Sequence, residues 1–100
     1  MKTPPPHFIA ALIQAAAGND ITEARRLTAA GADVNAQDDD GMTALMYASQ
    51  RDSADAAKLL IEAGADMDAK NNNGKTALMM AARHGHTDIA ELLKAAGARR

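Results

Sequence analysis

Gly41-Met42-Thr43-Ala44-Leu45-Met46-Tyr47-Ala48 and Gly74-Lys75-Thr76-Ala77-Leu78-Met79-Met80-Ala81 are one octet written twice, 33 positions apart. The register holds on both sides of it. Gly31, Gly64 and Gly97 each precede an alanine, and Asp33 returns as Asp66. Leu27 returns as Leu60 and Leu93, and Leu12 leads to Leu45 and Leu78. A fixed period of this size marks a stacked-repeat architecture, whose units bury their faces against one another. The apolar supply agrees. Of the 47% apolar residues, 25 are alanine, which suits closely approached helices with thin seams better than a thick core.

Each unit reads as helix, turn, helix and extended finger. Phe8, Ile9, Leu12 and Ile13 have amphipathic helical spacing. Leu12 and Ala15 are in phase with Leu45 and Ala48, so residues 8–17 belong to the first repeat rather than to a secretory leader. Gly18-Asn19 ends that helix, and the aligned positions are Asp52 and Gly85. A left-handed residue is expected there, which strains Asp52 most. The second helices start at Asp20, Ser53 and His86, and Asp20 and Ser53 are suited to cap them through their side chains. They end at Gly31, Gly64 and Gly97. Asp40-Gly41 and Asn73-Gly74 are tight-turn signals at the finger tips. Thr43 and Thr76 are placed to cap the next first helices, in which Leu45 and Leu78 should be the buried anchors.

At these residues the chain resembles the ankyrin repeat family, whose 33-residue unit carries T-P-L-H-x-A at the start of its first helix. Thr43, Leu45 and Ala48 keep that pattern, as do Thr76, Leu78 and Ala81. Its proline is replaced by Ala44 and Ala77, and its histidine by Met46 and Met79. Gly31-Ala32-Asp33-Val34-Asn35-Ala36 matches the family's lead-in to the finger, Gly64-Ala65-Asp66-Met67-Asp68-Ala69 is a looser copy, and Gly85-His86 matches its turn. The resemblance covers roughly residues 8–100 and implies an all-α repeat solenoid of three helix–loop–helix units with two β-hairpin-like fingers. Residues 1–7 would form a proline-rich lead, 8–40 the first repeat and finger, 41–73 the second repeat and finger, and 74–100 the third repeat. Glu23, Arg26 and Thr28 stand where the second repeat has Ala56, Leu59 and Ile61, and the third turns polar at Lys94. Polar end repeats of this kind are expected of a terminated array, although Ile89 and Leu92 are apolar at the far end.

Several strings imitate catalytic or metal motifs and fail on spacing. Gly74-Lys75-Thr76 lacks the phosphate-loop glycine, because position 69 is Ala69. Asp38-Asp39-Asp40-Gly41 has Ala36 and Tyr47 where a calcium loop needs carboxylates. His84 and His86 with Asp88 make a poor zinc set. There is no cysteine, so thiol chemistry is excluded. A net charge of −2 with two aromatics argues against nucleic acid, and no apolar run approaches the ~20 residues of a membrane helix. The chain is therefore expected to be no enzyme and to need no cofactor or metal.

What the resemblance implies is a protein-interaction module that binds another protein through its finger tips and the concave first-helix face; a cytoplasmic location is expected. Carried over by position, that surface is Asp39, Asp40 and Met42 on the first finger, and Lys70, Asn72, Asn73 and Lys75 on the second. On the helices it is Tyr47, Gln50, Arg51, Met80, Arg83 and His84. An inhibitor or toxin-neutralising protein, or a self-associating structural subunit, are the alternatives, with a monomer favoured. Met46 and Met79 either fill the seam between repeats or join Met42 and Met80 in an adaptable patch. The Asp38–Asp40 run is either a solvated tip or a steering charge.

Overall fold

The computed structural model describes residues 7–98. The proline lead over 1–6 and the terminal Arg99 and Arg100 lie outside them. Six helices follow in order: α1 (His7–Ala17), α2 (Ile21–Ala29), α3 (Ala44–Gln50), α4 (Ala54–Glu62), α5 (Ala77–Arg83) and α6 (Thr87–Ala95). The first helices α1, α3 and α5 pack in one row, and α2, α4 and α6 in a second row behind it. The stack extends over 39 × 27 × 21 Å.

The periodic leucines are the anchors of this stack. Leu12, Leu45 and Leu78 are buried in the inner row, and Leu27, Leu60 and Leu93 in the outer row. Between them lie Ala16, Ala24, Ala48, Ala56, Ala57 and Ala81, all at 0% exposure, so the two rows meet through methyl groups. Met46 is also buried, as the seam reading requires, whereas Met79 is half-buried. Ile89 is enclosed as well, so the apolar side of α6 is covered at that position, while Leu92 is half-buried. On α2 the polar positions form an exposed Glu23–Arg26 ion pair at 2.6 Å, a contact that adds little stability.

One residue serves both helices at every turn within a repeat. The peptide N–H groups of Asp20, Ser53 and His86 donate to the carbonyls of Ala15, Ala48 and Ala81, which closes the first helices. Their own carbonyls accept from Ala24, Ala57 and Ala90, which opens the second. The residue before each junction is left-handed: Asn19 at φ 57°, Asp52 at 60° and Gly85 at 74°. Capping by Asp20 follows the expectation, since its side chain accepts from the Glu23 N–H.

Ser53 does not cap its own helix. Its hydroxyl donates instead to the Ala17 carbonyl of the preceding repeat at 2.9 Å, and Asn19 reaches across to accept the Ala56 N–H. The cap of α4 thus comes from the neighbouring unit, because Ser53 is buried at the seam and faces an unpaired helix-end carbonyl there. His86 makes the corresponding bridge, its Nδ1 lying 2.9 Å from the Ser49 carbonyl. Gly31, Gly64 and Gly97 end the outer helices at φ 96°, 97° and 111°, as expected.

The fingers differ from the hairpins implied above: there is no strand among the described residues. Two backbone bonds close each finger tip: Asp38 N–H to the Met42 carbonyl and Gly41 N–H to the Asp38 carbonyl in the first, Asn71 N–H to the Lys75 carbonyl and Gly74 N–H to the Asn71 carbonyl in the second. Side chains take the donors that a strand ladder would use. Oδ1 of Asp38 accepts from the N–H groups of Asp40 and Met42, and Oδ1 of Asn71 from those of Asn73 and Lys75. These are Asx turns, which compete with sheet pairing for the same backbone groups.

Candidate functional site: the hollow between the fingers and the inner helices

The two fingers stand side by side because their polar groups match at the same 33-residue offset. Gln37 Nε2 donates to the Gly41 carbonyl of its own finger and to the Lys70 carbonyl of the next. The Asn72 side chain donates to the Asp39 carbonyl at 2.9 Å, and its N–H to the Asp40 carbonyl at 3.0 Å. Asn35 spans the fingers' bases, accepting from the Asp66 N–H and donating to the Gly64 carbonyl. Glycine is required at position 41, since a Cβ there would lie 2.6 Å from Asn72 Oδ1 and 2.8 Å from its backbone nitrogen.

Thr43 and Thr76 then turn the chain into α3 and α5. The Thr43 hydroxyl accepts from the Met46 N–H, and the Met46 sulfur receives the Thr43 N–H in return. This is a capping box with a thioether in the place of the usual glutamate. Met46 is thereby committed to the seam.

Between the fingers, α3 and α5 lies an open hollow of about 770 Å³. Of the thirteen residues expected on the binding surface, Asp40, Met42, Tyr47, Gln50, Asn72, Asn73, Lys75, Met80, Arg83 and His84 line it. Met42 and Met80 are buried and floor the hollow rather than project from it. Asp39 lies over a smaller hollow of about 480 Å³ beside α1, with Ile9 and Ile13. Arg51, at the exposed end of α3, and Lys70, on the flank of the second finger, line neither.

Met79, half-buried, lines the larger hollow beside Met42 and Met80, as the patch alternative for it expected. Two contributors escaped the sequence reading. Asn71 also lines that hollow. Asp38, the first residue of the acidic run, turns inward and accepts the Tyr47 hydroxyl at 2.6 Å. Its neighbour-to-be at position 47 is the only tyrosine in the chain, which was the available signal. Partial burial opposes ionisation of Asp38, but the Tyr47 hydroxyl and the N–H groups of Met42 and Asp40 outweigh it and hold the carboxyl below its usual range. The same bond to a carboxylate, reinforced by partial burial, pushes the Tyr47 phenol up to about 12.

The charge in the larger hollow is uneven. Lys75 and Arg83 stand on the second-finger side, and neither has a carboxylate in ion-pair range among the described residues. Asp40 stands on the other side. His84 and His86 stack with ring centroids 5.8 Å apart, and among the described residues no group of three side chains is disposed to hold a metal ion.

No curated protein matches the chain. The family model of ankyrin repeats matches residues 12–99 as three copies. The six helices are paired in register, and an aspartate or asparagine turn leads each later pair. The chain belongs to the ankyrin repeat family.

Proposed function

We propose that the chain is a protein-binding module whose partner seats in the larger hollow, against α3, α5 and the second finger. Ankyrin repeats generally act as protein–protein interaction modules. The observation that carries the reading is the hollow itself, with a methionine floor, a fixed tyrosine and two cations that form no ion pair among the described residues. Methionine surfaces adapt to apolar side chains, and Tyr and Arg are enriched among residues that dominate interface energy. Affinity capture followed by surface plasmon resonance tests it. Arg83→Glu and Lys75→Glu should weaken capture of the partner, whereas Lys58→Glu and Glu62→Lys, on α4, should leave it unchanged. The reverse pattern would place the partner on the outer row of helices.

A further inference from the structure

We propose that Asn73 is a self-modification site: its side-chain amide is lost through attack by the Gly74 peptide nitrogen, which converts the tip of the second finger from neutral to acidic. The reaction needs no outside reagent except water. The Gly74 nitrogen gives up its proton and attacks Cγ of Asn73, and the side-chain nitrogen leaves as ammonia while a cyclic imide closes. Water then opens the imide at either carbonyl, giving aspartate or its isomer with the main chain routed through the side chain.

Two observations single out Asn73 among the chain's asparagines, and a third shows that its product fits. First, the others are engaged. Asn71 accepts two backbone N–H groups and donates to the Met42 sulfur, Asn72 donates to the Asp39 carbonyl, Asn19 holds the Ala56 N–H, and Asn35 spans the fingers. The Asn73 side chain is exposed and makes no hydrogen bond among the described residues. Second, only Asn73 is followed by glycine, so no side chain shields the attacking nitrogen, and the space where a Gly74 Cβ would stand is open within 4 Å. Third, the product already has a template. Asp40 is the in-register counterpart of Asn73, and the glycines after them share one conformation, φ 78° and 76°. The finger therefore accommodates the aspartate product without rebuilding. One contact opposes the reaction, the Gly74 N–H to Asn71 carbonyl bond at 2.9 Å. Opening one such exposed bond corresponds to about fivefold slowing.

Conversion sets a carboxylate near Lys75 and Arg83 and removes the hollow's positive balance. On the binding reading given above, that change weakens attraction for an acidic partner surface. The chemical step is tested without any partner, so its failure and the failure of that reading are separate outcomes. The folded chain is incubated under warm, mildly alkaline conditions and followed by ion exchange and peptide mass mapping, with the urea-unfolded chain in parallel. An acidic species should accumulate that maps to Asn73 ahead of every other asparagine, about fivefold more slowly than in the unfolded chain. Asn73→Gln should abolish that species while leaving the circular dichroism unchanged. Absence of conversion at Asn73 in the folded chain, earlier conversion of Asn71 or Asn72, or an equal acidic species in Asn73→Gln would overturn the proposal.

Discussion

The Tyr47 hydroxyl donates to Oδ2 of Asp38 at 2.6 Å, tying the middle of α3 to the turn of the first finger. Because Tyr47 is the only tyrosine, its ionisation can be read alone by ultraviolet absorbance. The midpoint should lie near 12 rather than 10. Folding raises this phenol, so its contribution to stability is fully present below its ordinary value and is lost as pH rises through the raised one. Folding lowers the Asp38 carboxyl, so that contribution is present above the ordinary carboxylate value and fades as pH falls below it. Asp38→Asn should keep the turn, as Asn71 does at the aligned position, while the tyrosine midpoint falls back toward 10.

Gly41 and Gly74 share a left-handed backbone but not a neighbourhood. Alanine at 74 meets open space and should cost about 1–2 kcal/mol from backbone strain alone. Alanine at 41 meets Asn72 as well, which adds the ~1–3 kcal/mol typical of overpacking. Urea titration of the two variants should show the larger loss for Gly41→Ala, and equal losses would mean that the fingers do not abut in solution.

Asn19 and Asp52 occupy equivalent left-handed positions, yet glycine should act on them in opposite directions. Asp52→Gly relieves strain and should be neutral or stabilising in thermal melts. Asn19→Gly also removes the acceptor for the Ala56 N–H, so it should lose ~0.5–2 kcal/mol, the usual worth of a helix cap.

Leu78→Ala should cost ~2–5 kcal/mol, the range for a buried leucine. Leu45→Ala should cost more within that range. Leu45 is 1% exposed against 7% for Leu78, and α3 packs between α1 and α5. A loss under ~0.5 kcal/mol for either variant in a denaturant titration would contradict its burial.

The repeat, the leucine anchors, the glycine ends and the left-handed Asn19 and Asp52 were legible because backbone conformation and burial leave a periodic mark on residue type. Contacts between repeats left a weaker mark. Ser53 looks like an ordinary cap, and only packing decides that its hydroxyl faces Ala17 across the seam. Asp38, Asp39 and Asp40 look alike as a run, yet one accepts a tyrosine and two face solvent. Sequence spacing cannot distinguish them, because the difference is set by which way the Asx turn rotates its first side chain. The missing strands have the same origin, since an aspartate or asparagine that begins a turn can claim N–H groups otherwise free to pair.

The shared junctions at Asp20, Ser53 and His86 govern how the chain tolerates a change of length. Each such residue closes one helix and opens the next, so only a three-residue turn, over 18–20, 51–53 or 84–86, separates the paired helices. An insertion there would have to unwind a helix end to find room. The first finger is clasped by Asn72 on its far side, which leaves the tip at Asn73 and Gly74 as the most permissive place for added residues. A short epitope or a grafted recognition loop belongs at that tip, where it would hang directly over the larger hollow.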